Sequence, residues 1–130
     1  MAARTVGAQW EDAALAHLLA AGLELIARNF YCRLGEIDLI MLDRNGSDGS
    51  SIVFAEVRYR GANARGDGTA SVGYAKRGKL ARAAQLWLAQ NPQHAGSACR
   101  FDVIGCGGAP SRPQFDWTRN AFDACRDETA

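Results

Sequence analysis

The fold is decided by residues 35–60, which read GEIDLIMLDRNGSDGSSIVFAEVRYR. Both ends of this stretch are rich in residues that favour β-strands, while its centre is dense in turn-forming residues and contains an Asn-Gly step. The pattern predicts an antiparallel hairpin whose strands are residues 35–42 and 51–60, joined by a turn over residues 43–50.

The segment before the hairpin predicts an amphipathic helix over residues 6–21. Apolar residues recur at helical spacing along one stripe of this helix: Trp10, Ala14, Leu18 and Ala21. Gly22 stands where a left-handed C-terminal cap is expected. A short strand is predicted to follow at residues 23–30.

The segment after the hairpin predicts a loop and then a second helix. Residues 61–71 contain three glycines and little apolar content, so we expect a loop there. The second helix is predicted over residues 72–91, and Asn91-Pro92 is expected to end it. Its packed side is expected to carry Ala75, Lys79, Ala83, Leu86 and Trp87.

The C-terminal part of the chain predicts further strands of the same sheet. Residues 100–104 form a β-prone run, and the glycine-rich residues 105–108 are expected to end that strand. An edge strand at 114–118, a final helical turn at 120–125 and a frayed tail at 123–130 are expected to follow. The element order predicts an α/β domain with a central mixed sheet flanked by helices.

Composition and charge describe one folded domain. The chain has 130 residues, of which 48% are hydrophobic and 22% are charged, so it can build a packed core and does not resemble a disordered segment. Fifteen Lys and Arg against 14 Asp and Glu leave a net charge of +1. Any attraction to polyanions therefore depends on how the charges are distributed. We expect the whole chain to form one domain with its core at residues 7–122.

The sequence contains no feature that predicts export or a membrane anchor. The uncharged stretch at residues 13–23 is about half a membrane span, and two acids, Glu11 and Asp12, precede it. Four cysteines, without C-x-x-C spacing, are expected to be reduced thiols and not disulfides or zinc ligands. They are Cys32, Cys99, Cys106 and Cys125. We expect a cytoplasmic location and no membrane partner.

Charged residues interrupt both predicted hairpin strands. Glu36 and Asp38 lie in the first strand, and Glu56 with Arg58 lies in the second. Residues two apart share a face of a strand at a distance of about 6.6 Å, and hairpin pairing can bring Asp38 next to Glu56. Adjacent carboxylates repel each other unless a cation neutralises them, and Mg²⁺ or Mn²⁺ accepts few protein oxygens beside water and phosphate. The alternative is a solvated sheet face with a weak ion pair between Glu56 and Arg58, and spacing does not decide between the two.

The segment from residue 58 to residue 82 is strongly basic although the whole chain is nearly neutral. It contains a single acid, Asp67, and seven basic residues: Arg58, Arg60, Arg65, Lys76, Arg77, Lys79 and Arg82. Such a segment suits the phosphate backbone of a nucleic acid, which it would bind without reading the sequence. The alternative is a solvated helix face.

Several short motifs together resemble the YraN family of small bacterial proteins. They are Gly7-x-x-x-Glu11, Arg28-Asn29-Phe30, GEIDLI at residues 35–40, VFAEVRYR at residues 53–60, Lys76 with Lys79-Leu80, and Arg100-Phe101-Asp102-Val103. The resemblance extends from about residue 7 to residue 122. It implies a three-layer, restriction-endonuclease-like fold, related to the archaeal Holliday-junction resolvases and the PD-(D/E)xK nucleases.

The resemblance also implies a set of site residues. In that superfamily the acids at the positions of Asp38 and Glu56, often with a helical acid such as Glu11, hold Mg²⁺ or Mn²⁺. A lysine two residues after the second acid assists the attacking water. Glu36 is expected to support the site, and Asp102 either supports it from a neighbouring strand or forms a structural salt bridge.

The chain departs from the superfamily pattern at Arg58, which stands where that lysine is expected. An arginine keeps the positive charge and can clamp a phosphate oxygen, but it cannot release a proton near neutral pH. Three interpretations remain open. Arg58 stabilises the transition state, or Lys76 or Lys79 reaches in from the second helix, or catalysis is lost and only binding remains.

These features favour a metal-dependent, nuclease-like protein that hydrolyses phosphodiesters in DNA, including branched or irregular structures. The flanking backbone is expected to contact Arg60, Arg65, Lys76, Arg77, Lys79 and Arg82. Cutting both strands of a junction would require a two-fold dimer. The first alternative is a non-catalytic nucleic-acid-binding or scaffold module on the same fold, because Arg58 replaces the expected lysine and a fold alone does not carry an activity. The second is a protein-interaction domain whose carboxylates only solubilise a sheet face.

Overall fold

The structure is a computed structural model that describes residues 6–46, 49–59, 74–109 and 111–122. Two α-helices, α1 (Val6–Ala20) and α2 (Tyr74–Gln90), accompany one short 3-10 helix at Pro92–His94. The five strands are β1 (Glu24–Cys32), β2 (Gly35–Gly46), β3 (Gly49–Tyr59), β4 (Ala98–Ala109) and β5 (Arg112–Phe122). They form one sheet in the order β1-β2-β3-β4-β5.

The sheet is mixed because one of its four strand pairs is parallel. β3 and β4 run parallel, and the other neighbours are antiparallel. Parallel neighbours need a long crossover, and α2 lies in the crossover between β3 and β4. The predicted α/β domain with a central mixed sheet is confirmed.

The predicted hairpin is confirmed, with longer strands than expected. β2 and β3 pair antiparallel with Leu39 opposite Ala55 and Leu42 opposite Ile52. The pairing continues to Gly46 opposite Gly49, after a register shift beyond Asp43. The predicted turn over residues 43–50 is therefore largely strand, because the backbone ladder continues through polar residues once the apolar pairs have set the register.

The two helices cover opposite faces of the sheet, which gives three layers. On one face α1 buries Trp10, Ala14 and Leu18 against residues that include Leu39, Val53 and Ile104. On the other face α2 buries Leu80, Ala83, Ala84 and Trp87 against residues that include Ile40, Phe54 and Phe101. Side chains alternate along β3 between the two clusters, as expected for a strand buried on both faces.

Two predicted helix stripes need correction. Ala21 is exposed because α1 ends at Ala20 and the chain turns at Gly22, which has the left-handed φ of 99° predicted for a cap. On α2, Ala75 and Lys79 are exposed and Leu86 is half-buried. The buried stripe is rotated from the predicted one, because Leu80, Ala84 and Trp87 at helical spacing carry the larger apolar surface.

The C-terminal strands also differ from the prediction. β4 continues through Gly105, Gly107 and Gly108, each paired with a residue of β5, so the glycines do not end the strand. Pairing with β5, and for Gly105 also with Arg58 of β3, keeps in the strand residues whose local propensity disfavours it. The predicted helical turn at 120–125 is wrong over its described part, because β5 extends to Phe122, which stacks on Phe101.

Two further expectations concern the cysteines and the membrane. Cys32, Cys99 and Cys106 are free thiols, and Cys125 lies outside the described residues. Neither α1 nor α2, the two α-helices in the described part of the chain, is long and apolar enough to cross a bilayer. The predicted loop at 61–71 and tail at 123–130 fall outside the described residues.

Candidate functional site

Asp38 lies where β2 and β3 begin to pair. The ladder between these strands begins at Leu39 opposite Ala55, so the next residues along the two strands are Asp38 and Glu56. The Asp38 carboxylate accepts a hydrogen bond on Oδ2 from the backbone N–H of Val57, at 2.8 Å. The side chain is thus fixed against the backbone of β3, immediately beside Glu56.

The surroundings of Asp38 disfavour its charge. Burial raises the pKa of its carboxyl, the negative charge of Glu56 raises it further, and the Val57 N–H lowers it in part, with the result at about 7. Glu11 and Glu36 add smaller repulsions that also raise this pKa. A carboxyl in this position is half ionised at neutral pH, and a nearby cation would favour its charged form.

Glu56 is buried in β3 and forms an ion pair with a lysine of α2. Its side chain is 11% exposed, and its Oε1 lies 3.1 Å from Nζ of Lys76. Along β3 it follows Phe54, which packs on the α2 side, whereas Val57 packs on the α1 side. The crossover helix therefore brings a positive charge to the second acid of the hairpin.

Glu11 is held by an arginine of β1. Its Oε1 accepts from Nη2 of Arg28 at 2.9 Å, and the same nitrogen donates to Oδ1 of Asp12 at 2.9 Å. These hydrogen bonds raise the pKa of Arg28, so the guanidinium stays charged. Glu11 is close enough to Asp38 to raise the pKa of Asp38. The carboxylate of Glu11 itself forms an ion pair with Arg28.

Two clefts near these carboxylates share the lining residue Glu36. The first, about 290 Å³, lies on the α1 side, and its lining includes Trp10, Glu11, Tyr31, Glu36, Asp38 and Tyr59. The second, about 360 Å³, lies against α2 and is lined by Gly35, Glu36, Ala75, Lys76, Lys79 and Leu80. Glu36 is exposed and lines both, so it connects an acidic and aromatic cleft with a basic one.

The donor chemistry suits a magnesium site made of two carboxylates. Among the described residues no group of three His, Cys, Asp or Glu side chains is arranged to hold an ion. Asp38 is half-buried and neighbours the buried Glu56, and a divalent cation would relieve their mutual repulsion. Mg²⁺ commonly uses one or two carboxylates with phosphate oxygens. Glu11 is not available as a third ligand while Arg28 holds it.

Asp102 belongs to a separate network. It is 1% exposed and accepts hydrogen bonds from Nε of Arg100, Nε1 of Trp117 and the backbone N–H of Asn120. Arg100 also donates to Asp43 at 2.8 Å and so connects β4 to β2. Of the two expectations for Asp102, the structure places it in the structural salt bridge.

The basic residues divide between the site and other surfaces. Lys76 and Lys79 line the second cleft. The guanidinium of Arg77 lies over the Phe122 ring, 5.5 Å from its centroid. Arg82 is exposed, Arg58 is half-buried on β3, and Arg60 and Arg65 lie outside the described residues.

Sequence reasoning missed two features of the first cleft. The motif Arg28-Asn29-Phe30 does not predict that Arg28 pairs with Glu11, because the two residues are 17 positions apart. Tyr31 and Tyr59, both exposed, border the cleft that contains Asp38. The spacing of Tyr59, two residues after Val57 on β3, is the signal that could have placed it on the α1 face.

Comparison with known proteins gives one family. The family model described as "Uncharacterised protein family UPF0102" matches residues 10–106. A UPF0102 protein of Ectopseudomonas mendocina is 46% identical over 119 residues, covering 92% of this chain and 95% of the relative. Another, of Pseudomonas paraeruginosa, is 43% identical over 123 residues and covers 93% and 94%. A third, of Xanthomonas campestris pv. campestris, is 49% identical over 116 residues and covers 89% of each chain.

Among solved structures the similarity is weak. Pyrococcus furiosus SfsA in complex with Ca²⁺ matches at a TM-score of 0.28 and 15% identity, over 87% of this chain and 62% of that protein. A similarity at this level carries no inference about fold or activity.

Proposed function

This chain belongs to the UPF0102 family, the YraN-like proteins that its motifs predicted, and we propose that it is a metal-dependent, nuclease-like protein that acts on DNA. The proposal includes the restriction-endonuclease-like fold that the motifs imply, with which a mixed sheet between two helices is consistent. The observation that carries the proposal is the Asp38 carboxyl, whose pKa is raised to about 7 by burial and by Glu56. Two neighbouring acids that repel each other beside a cleft favour a functional site.

Asp38, which lines the first cleft, and Glu56, which contacts Lys76 of the second cleft, would together hold Mg²⁺ or Mn²⁺. When bound, the metal supplies charge stabilisation to the phosphate and a more acidic water. The Val57 N–H keeps Asp38 in place at 2.8 Å, so the carboxylate is oriented before any ligand arrives. Binding at Glu56 would displace its contact with Lys76.

The cations of this chain then act on the phosphate. Lys76 is 54% exposed at its side chain and lies beside Glu56, so its ammonium group can transfer from the carboxylate to a phosphate oxygen. Arg58, two residues beyond Glu56 on the same strand, offers a second, permanent positive charge. Together they would stabilise the charge that develops when water adds to phosphorus and the bond to the leaving oxygen breaks.

A second candidate function is a nucleic-acid-binding module without catalysis. The observation in its favour is that Arg28 occupies Glu11, which leaves two carboxylates where the superfamily often uses three. Under this alternative the basic cleft would bind DNA, and Asp38 and Glu56 would serve no reaction.

A cleavage assay separates the two functions. The purified protein is incubated with linear duplex, single-stranded and four-way-junction DNA in Mg²⁺, Mn²⁺ or EDTA, beside the variants Asp38→Asn and Glu56→Gln. Glu24→Gln is a matched control, because Glu24 is an exposed acid at the opposite end of the β1–β2 pairing. The nuclease predicts metal-dependent cutting that both site variants abolish and the control retains. Salt-sensitive binding without cutting would select the binding module instead.

A further inference from the structure

Two exposed tyrosines border the acidic cleft on the α1 side. Tyr31 of β1 is 68% exposed and Tyr59 of β3 is 53% exposed, the two highest values among the large hydrophobic residues of the described chain. Both line the cleft that contains Asp38 and Glu36. Exposure of aromatic rings to water is unfavourable, so the presence of two exposed rings at one cleft indicates a ligand-binding surface.

The ring of Tyr59 is held in position by Trp10. Its ring stacks on Trp10 of α1 with centroids 5.0 Å apart and planes inclined by 26°. Trp10 is 2% exposed and packs in the core under α1, so its neighbours hold it in position. One face of the Tyr59 ring is therefore covered, and the side chain remains half exposed beside the carboxylates.

The size and contents of the cleft fit one planar group. Its volume of about 290 Å³ lies at the small end of pockets that hold organic ligands, about 300–1,000 Å³. Asn29, an exposed residue with a left-handed φ of 56°, also lines it and offers an amide to a polar ring edge. A flat ring with hydrogen-bonding edges fits these surroundings, and a base pair does not.

We propose that Tyr59, supported by Trp10 and accompanied by Tyr31, is a stacking site for one unpaired nucleobase next to the phosphate at Asp38. This proposal rests on the proposed function, since it names the form of DNA that the same site accepts. Base stacking on aromatic side chains is tolerant of sequence and requires a base that is out of its duplex. The site therefore selects single-stranded, flapped or branched DNA over a continuous duplex.

The test measures coupling between the Tyr59 ring and the base. Binding is followed by fluorescence anisotropy in EDTA, where no metal-dependent cutting occurs. The two ligands are a short oligo(dT) and an abasic strand of the same length, which has the same phosphates and no bases. The proteins are the wild type, Tyr59→Leu, Tyr31→Leu and the matched control Tyr59→Phe, which keeps the ring.

The wild type and Tyr59→Phe should bind oligo(dT) about 10-fold more tightly than the abasic strand, and Tyr59→Leu should lose most of that preference. Tyr31→Leu should reduce the preference to a smaller extent. An unchanged preference for oligo(dT) in Tyr59→Leu, with an unchanged melting temperature, would overturn the stacking site while leaving the nuclease proposal intact. A wild type that binds neither strand nor any duplex or junction would overturn both.

Discussion

The ammonium nitrogen of Lys76, in the first turns of α2, lies 3.1 Å from Oε1 of Glu56, near the end of β3. The superfamily pattern expects a lysine two residues after this acid, and the chain has Arg58 there. A lysine is thus present at the second acid, but it comes from the crossover helix. Of the three interpretations that the sequence left open for Arg58, this contact favours a lysine reaching in from α2.

Removal of the Lys76 charge should reduce catalysis and strengthen metal binding. Lys76→Met should lower kcat for DNA cleavage by about 100-fold, because a cation aimed at the phosphate is lost. The same variant should bind Mg²⁺ more tightly, because Glu56 no longer has a competing partner. Lys79→Met, also on α2, is the control and should change kcat by less than about 10-fold. Equal losses in the two variants would argue against a specific role for Lys76.

Asp38→Asn should stabilise the metal-free protein at pH 8. The folded-state pKa of Asp38 is raised from 3.8 to about 7, so the folded state binds more protons than the unfolded state between those values. Stability is therefore lost as the pH rises from about 4 to about 7 and stays low above that. An asparagine can still accept from the Val57 N–H and carries no charge, so its melting temperature at pH 8 should be about 5 °C higher.

The pH series provides the check on that result. The difference between Asp38→Asn and the wild type should shrink as the pH falls from about 7 to about 4, because the Asp38 carboxyl of the folded state becomes protonated over that range and loses its charge. A variant that melts below the wild type at pH 8 would show that the Asp38 charge stabilises the fold.

Magnesium binding should release a proton and weaken in acid. The metal binds the ionised form of Asp38, and with a pKa of about 7 only about a tenth of the carboxyl is ionised at pH 6. Apparent Mg²⁺ affinity should fall by about 10-fold from pH 8 to pH 6. Calorimetry in buffers of different ionisation enthalpy measures the proton directly, and Glu24→Gln should behave as the wild type. Binding that is independent of pH would exclude Asp38 as a ligand.

Release of Glu11 should add a third carboxylate to the site. Arg28→Met removes the guanidinium that donates to Glu11 at 2.9 Å, so Mg²⁺ affinity should increase by several-fold, about 1 kcal/mol. The double variant Arg28→Met with Glu11→Gln should return to the affinity of the wild type. If the effects of the two substitutions on Mg²⁺ affinity are additive in this double-mutant cycle, Glu11 does not reach the metal.

Asp102→Asn should destabilise the fold without changing the chemistry. Asp102 is buried with Arg100, and loss of one partner of a buried ion pair costs about 3–5 kcal/mol. Urea unfolding should show that loss, while cleavage per folded molecule below the transition should equal that of the wild type. A loss of kcat at full folding would place Asp102 in the site after all.

Local sequence patterns were sufficient to predict α1 and the β2–β3 hairpin, which depend mainly on interactions between residues near each other in the chain. The apolar stripe of Trp10, Ala14 and Leu18 and the cap at Gly22 predicted α1. The β-prone residues on both sides of the turn-rich centre at residues 43–50 predicted the hairpin. Propensity was misleading at Gly105 to Gly108, where pairing with β5 continues the strand through the glycines and β3 flanks it as far as Cys106.

The candidate site was only half visible in the sequence. The adjacency of Asp38 and Glu56 follows from the hairpin register, which the turn and the apolar pairs fix. The pairing of Glu11 with Arg28 and of Glu56 with Lys76 depends on how each helix crosses the sheet, which no local pattern records. The Trp10–Tyr59 stack joins a helix to a strand end for the same reason.

Because β3 and β4 are parallel, the chain must cross from the C-terminal end of β3 to the N-terminal end of β4, and α2 lies in that crossover. The same helix carries Lys76, so both proposed metal ligands and their lysine come from three elements that follow one another in the sequence, β2, β3 and α2. Substitutions in β4 and β5 are therefore expected to act on the proposed reaction only through the packing of the sheet, to which both strands contribute buried residues.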